Sequence, residues 1–325
     1  MASLSSENKQ KCVAAVLQLE CVQKEMPLLD HATQAADDRI LLALLGSIAA
    51  QAPTLATLDL LAKCYDSSAR LRPTIDVVPL FPFLLESLAG RINALGPPAS
   101  FVSSPDSKVK AQQLLGELKS INCDLENLAI SLVPLMPVDI SSPNSSTSSS
   151  LLANTHARVI GQWEKNAPLQ FRNVAVGGTF DRLHAGHRLL LAATALVATE
   201  GIYVGVASDR LLIKKKNKEL LEPYTVREVA AVEYMQRINP KVMVRAGALV
   251  DPKVPPLAAT SADFQAIVVS EETISGAEEI NFVRKSLGFD PLVIVVVGLI
   301  GGATGAGGKL SSTDLRDIAA SGRGR

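Results

Sequence analysis

Apolar positions follow two different rhythms along the chain. Before residue 137 they recur at intervals of three and four: Val13, Val16 and Leu17 share a face with Glu20, and Leu41, Leu44, Leu45 and Ile48 share another. The same spacing extends over residues 54–64, 82–95, 105–121 and 124–132. The breaks fall at Pro53, Arg72-Pro73, Gly96-Pro97-Pro98 and Ser104-Pro105, where helices end or begin. This half therefore predicts an all-helical bundle of about five or six helices over residues 1–136. After residue 154 the rhythm changes to short apolar runs separated by helical stretches. Strands are expected at 171–177, 202–207, 242–246, 266–270 and 292–299, with helices at 186–199, 225–238 and 277–287. Run 202–207 is too continuously apolar to be a half-exposed strand, so the pattern predicts a Rossmann-like parallel α/β sheet covered on both faces.

The run from Ser141 to Ser150 is almost free of apolar residues and reads as a serine-rich linker, residues 137–153, dividing a helical domain (1–136) from an α/β domain (154–325). Apolar content of 47% and charge of 20% describe a globular chain. Formal net charge is zero, but division after Leu152 gives 11 basic against 15 acidic residues before it and 21 against 17 after it. A surplus that small excludes a nucleic-acid footprint and suits a local anionic ligand. The cysteines, Cys12, Cys21, Cys64 and Cys123, lack metal-binding spacing and read as reduced structural thiols. Residues 1–11 have no leader signature and the longest early apolar run is too short to span a bilayer, so a cytoplasmic protein without a membrane segment is expected.

The chemistry concentrates in one stretch, Val176-Gly177-Gly178-Thr179-Phe180-Asp181-Arg182-Leu183-His184-Ala185-Gly186-His187, where a buried strand gives way to a loop and a helix. Two of the four histidines lie there, Gly186 between them. Free N–H groups, the positive end of a helix dipole and imidazole donors converge on one point, as a phosphate site requires. The glycine-rich segment 298–308 invites a Walker A reading, but Ala303 stands where that motif needs Gly and Leu310 where it needs Ser or Thr after Lys309. Ser311-Ser312-Thr313 instead opens a helix, either presenting hydroxyl and N–H groups to an anion or simply capping itself with Asp314. Lys214-Lys215-Lys216 reads as a basic loop facing a phosphate or as a solvated surface run. His31 stands alone and carries no functional signal.

The string Gly178-Thr179-Phe180-Asp181, then His184-x-Gly-His187, with a late Ser-Ser-Thr-x-x-Arg ending at Arg316, resembles the HxGH nucleotidyltransferase superfamily. Together with the lysine loop, Glu222-Pro223-Tyr224, Val268-Val269-Ser270-Glu271-Glu272-Thr273 and Lys309-Leu310-Ser311-Ser312-Thr313, it is similar to the eukaryotic-type phosphopantetheine adenylyltransferases over residues 170–318. That resemblance implies transfer of AMP from ATP to 4'-phosphopantetheine, giving dephospho-coenzyme A and pyrophosphate. It implies that His184 and His187 donate to the α-phosphate and bridging oxygens, and that Thr179, with Gly177, Gly178 and Phe180, holds the acceptor phosphate. One of Lys214, Lys215 and Lys216 would neutralise the phosphates, while Gly186, Ser311, Ser312, Thr313 and Arg316 hold the nucleotide phosphates. Asp181 is expected to hold the loop, and magnesium (Mg2+) to arrive on ATP with few protein ligands. A cytidylyltransferase or FMN adenylyltransferase of the same fold is the neighbouring alternative, and a non-catalytic nucleotide-binding regulator a more distant one. No nucleic-acid or membrane partner is expected. The helical half suggests an oligomerisation or partner-docking role.

Overall fold

A computed structural model describes residues 12–18, 22–46, 52–134, 157–164, 167–301 and 310–321. The serine-rich linker, the glycine-rich segment at 302–309 and Cys21 lie outside the described residues.

The first half is not an all-helical bundle. It is a parallel sheet with helices: β1 (Cys12–Gln18), α1 (Val22–Ala35), β2 (Arg39–Leu45), α2 (Leu55–Leu71), β3 (Asp76–Leu80), α3 (Leu88–Ala94), β4 (Ser100–Ser103), α4 (Lys108–Ile121) and β5 (Ile130–Leu132). The strands lie in the order β3-β2-β1-β4-β5, all parallel. The correction has a physical cause. Val13–Leu17 and Ile40–Leu44 are almost wholly buried, so neither strand shows the alternation that marks a half-exposed one. Their alanines and leucines favour helices in isolation, and burial of a continuous run overrides that preference. Helices α2 and α4 match expectation, α2 with Thr54 as N-cap accepting from the Thr57 N–H.

The second half follows the expected layout: β6 (Arg158–Val159), β7 (Phe171–Gly178), α5 (Ala185–Val197), β8 (Ala198–Ala207), α6 (Tyr224–Ile238), β9 (Met243–Leu249), α7 (Leu257–Thr260), β10 (Ala266–Ser270), α8 (Ile274–Ser286), β11 (Val293–Val297) and α9 (Ser312–Ala320). Its sheet runs β6-β11-β10-β7-β8-β9, parallel except for β6, which joins β11 antiparallel from a segment that reads as a connector in sequence. Apart from β6, both sheets have the same strand order: the first strand of each unit is central, with its second and third on one side and its fourth and fifth on the other. The switch point falls between β1 and β4 in one and between β7 and β10 in the other, and ligands in such folds gather outside the carboxyl ends of strands at that point.

The two switch points differ in what fills them. In the first unit Glu25, on the first turn of α1, is fully buried and accepts hydrogen bonds from the Gln18 N–H, Ser104 Oγ (2.6 Å) and Ser107 Oγ (2.8 Å). A carboxylate of the chain itself thus takes the donors that an outside anion would need.

The units share one continuous hydrophobic core, with α2 and β3 against α5 and α6. Buried Tyr65 and Tyr234 are hydrogen-bond partners, and Tyr234, the nearer of the two to Val77 O at 2.6 Å, donates to it. Asp76 gathers Arg39 (2.9 Å) from its own unit with Arg237 (2.7 Å) and Arg188 (3.6 Å) from the other. Arg91 donates to Gln236 O and Arg237 O, placing a cation at the negative end of α6. Cys12, Cys64 and Cys123 are free thiols; burial raises Cys12 to about 11 and Cys64 to about 12, which keeps both protonated and unreactive. No helix among the described residues is long and apolar enough to cross a membrane.

Candidate active site

The site is built where β7 ends beside the switch point. Two residues after Gly178 comes Phe180, whose ring folds back so closely that a Cβ on Gly178 would lie 2.9 Å from its Cζ. Phe180 and Arg182 both have left-handed backbones, with φ of 53° and 48°. Such conformations cost about 1–3 kcal/mol each in non-glycine residues and persist only where surrounding bonds enforce them.

Those bonds are present. Buried Arg227 donates to Thr179 O (2.7 Å), Ala207 O (2.8 Å) and Glu222 O (2.9 Å) and pairs with Asp209. Glu222 accepts from the Arg182 N–H at 2.7 Å, while the Glu222 N–H donates to Asp181 Oδ1 at 3.0 Å. The other Asp181 oxygen accepts from Arg316 Nη1 at 2.5 Å, both side chains being inaccessible to water. Asp181 is therefore a structural anchor, as its sequence context suggests.

Arg316 has partners within the chain. The resemblance places it against nucleotide phosphates; here the residue is 1% exposed and its guanidinium is engaged with Asp181, Lys216 O and Thr313 Oγ1. Its geometry makes it the tie between α9, the lysine loop and the Asp181 loop. The first turn of α9 is similarly occupied: Ser311 forms a capping box with Asp314, and Ser312 Oγ donates to Asp181 O at 2.9 Å. The three stretches that sequence reading assigns to one site are thus brought together. Lys216 pairs with Asp317 at 2.8 Å, whereas Lys214 and Lys215 are exposed and make no ion pair among the described residues.

His184 is the N-cap residue of α5, and its ring stacks on His187 with centroids 4.0 Å apart and planes at 25°. Gly186 makes that close stacking feasible, since a Cβ there would lie 3.2 Å from the His184 ring. The Phe180 ring flanks His187 on another side, at 5.5 Å. Burial, then the neighbouring His184, then Arg188 push the His187 imidazole well below its ordinary 6.5, so it is neutral near pH 7 in the unliganded protein. The unfolded chain takes up this proton near pH 6.5 and the folded chain refuses it, so His187 lowers stability as the pH falls below about 6.5 and ceases to do so above it. Urea midpoints between about pH 5.5 and about 7.5 should fall less steeply with acidification in His187→Gln than in wild type; equal slopes would contradict the burial.

Beside Gly177 lies a largely apolar cavity of about 380 Å³ bounded by Pro252, Val254, Ile267, Val269 and Ile280. Among the described residues no group of three or more His, Cys, Asp or Glu could hold a metal ion. Arg227 is the important residue that sequence reading passes over. Its signal is visible in retrospect: it falls in register with the buried stripe Ala231, Tyr234, Met235 and Ile238, where an arginine needs internal partners.

Comparison with known proteins adds the family. The cytidylyltransferase-like family model matches residues 175–318. The phosphopantetheine adenylyltransferase of Saccharomyces cerevisiae is 36% identical over 156 residues, which is 46% of this chain and 49% of that protein. The chain thus spans about half the length of the yeast relative. Proteins of the same name from Pyrococcus furiosus (36% over 151 residues) and Methanopyrus kandleri (39% over 147 residues) each match 45% of this chain, and 88% and 90% of their own lengths. With identity of that order over nearly the whole of the archaeal relatives, and with the paired histidines at the head of α5, the chain belongs to the cytidylyltransferase-like family of HxGH nucleotidyltransferases.

Proposed function

We propose that this nucleotidyltransferase is a cytoplasmic enzyme that transfers AMP from ATP to 4'-phosphopantetheine, forming dephospho-coenzyme A and pyrophosphate. The observation that carries the reading is the His184–His187 stack at the N-terminus of α5; the cavity beside Gly177 lies at the end of β7, the strand that precedes those histidines. A phosphate acceptor whose long arm alternates amide groups with methyl and methylene groups suits an anion seat with a cavity of mixed lining near by. The names of the yeast and archaeal relatives support the same choice of substrates.

The reaction joins an oxygen of the acceptor phosphate to the α-phosphorus of ATP and breaks the bond from that phosphorus to the β-bridging oxygen. Pyrophosphate departs with the bond's electrons. The acceptor is already largely dianionic at pH 7, its second pKa being about 6, so no general base is required. What the protein must supply is alignment of two anions and donors for the charge spreading onto the phosphoryl oxygens. The histidines and the N–H groups of Gly186 and His187 in the first turn of α5 would serve there, with Thr179 at the acceptor phosphate and the exposed Lys214 and Lys215 at the triphosphate. The first turn of α9 would contribute backbone N–H groups more than hydroxyls, since its hydroxyls are engaged. Magnesium would enter as part of the ATP substrate. Asp181 and Glu222 already hold Arg316 and the Arg182 N–H, so neither is poised as a metal ligand.

Pyrophosphate release measured with ATP or CTP against phosphopantetheine, FMN or choline phosphate tests the reading. Turnover is expected with ATP and phosphopantetheine. Turnover confined to another pair would replace it with a different member of the same fold, and absence of turnover with every pair would point to a binding protein.

A further inference from the structure

The first unit has the strand order of its neighbour, carries Glu25 in its own switch point, and lies outside the segment 175–318 that matches the family. Some of its contacts with the second unit reach the site. Pro73 O accepts the N–H of Ala185, the first residue of α5, at 3.3 Å. Thr74 O (3.3 Å) and Ile75 O (2.9 Å) accept from Arg188, the residue after His187, and Asp76 lies 3.6 Å from the same guanidinium. At the other end of this segment Asp66, 7% exposed, accepts from the Gly301 N–H at 3.2 Å through one oxygen and holds Arg70 with the other. Ile300 O in turn accepts from the Leu310 N–H at 3.0 Å, immediately before Ser311 begins α9.

We infer that residues 66–76 of the first unit form a positioning clamp that sets the α5 N-terminus, with its histidines, against the α9 N-terminus on the nucleotide side. This rests on the adenylyl-transfer reading for its substrates, though the geometry of the clamp does not. Two helix ends that must grip one polyphosphate chain have to be held at a fixed separation, and small misplacements cost rate steeply. The second unit fixes that separation from one side through Asp181 and Arg316; the first fixes it from the other, through Asp76 at the histidines and Asp66 at Gly301. Both aspartates are positioning residues, since neither contacts substrate.

The clamp predicts a division of effects that loss of stability alone would not produce. In the full-length protein, Asp76→Asn should lower kcat about tenfold with little change in KM for ATP, because it loosens the histidine helix. Asp66→Asn should raise KM for ATP about fivefold with little change in kcat, because it loosens the nucleotide side. Amide exchange should quicken at Ala185 in Asp76→Asn and stay slow there in Asp66→Asn. Arg172→Ala, which removes an exposed ion pair with Glu200 far from these contacts in sequence and structure, should leave all three readings at wild type. Wild-type constants in both aspartate variants, or a parallel fall in kcat and rise in KM that simply tracks their urea midpoints, would overturn the clamp. If Asp76→Asn fails to fold, Asp66→Asn carries the test alone through KM. If no acceptor supports turnover, the adenylyl-transfer reading fails separately, and the affinity for ATP with the Ala185 exchange rate still decides on the clamp.

Discussion

His187→Ala is expected to lower kcat by about two to three powers of ten, the scale for loss of one preorganised donor to a phosphoryl transition state. His187 sits in a prepared place: stacked on His184, flanked by Phe180, and held neutral by burial and adjacent positive charge. Bound triphosphate brings negative charge to that ring and would raise its affinity for a proton, so the group becomes more effective where charge develops. Because this interaction strengthens toward the transition state, kcat and kcat/KM should fall together. Truncation leaves Arg188 and its bonds to Thr74, Ile75 and Asp76 untouched, so the fold should survive. A kcat within about threefold of wild type would remove His187 from the chemistry.

The largest effect on stability is expected at Arg316. Arg316→Met leaves the Asp181 carboxylate buried without its charged partner, a change that typically costs about 3–5 kcal/mol. It also frees Lys216 O and Thr313 Oγ1, so the lysine loop and the first turn of α9 should part from the Asp181 loop, and turnover should fall with stability. Asp181→Asn combined with Arg316→Met removes both charges. The double variant should be less destabilised than the sum of the single ones, as coupled partners are. Urea unfolding of the four proteins measures this cycle, and a single-variant cost below about 1 kcal/mol, or strict additivity, would deny the pair its central place.

Much of the second unit could be read from sequence because its strands are rich in valine and isoleucine and its loops in glycine and proline. Val293–Val297 could be little else than a buried strand, and Gly177-Gly178 marks the end of β7. In the first unit the same signals fail. Arg39–Leu45, RILLALL, has leucines and an alanine that suit a helix equally well, and only its parallel neighbours β1 and β3 make it a strand. In the site, sequence names segments that the fold brings together, but the partners of their side chains within the chain could not be read from it. Arg316 looks like a phosphate ligand because it is a cation behind a Ser-Ser-Thr run; that it faces Asp181, 135 positions earlier, depends on a fold that local pattern does not encode. The same holds for Asp76, whose partners Arg39, Arg188 and Arg237 are spread over both units.

The repeated strand order has a further consequence. The two sheets are alike in layout, yet only one ends in Gly-Thr-Phe-Asp and paired histidines, while the other closes its crevice with Glu25. A census by shape would count two enzymes in this chain. Their loops tell them apart: the family's histidine motif stands on the second sheet, and a buried glutamate of the chain itself fills the corresponding place on the first.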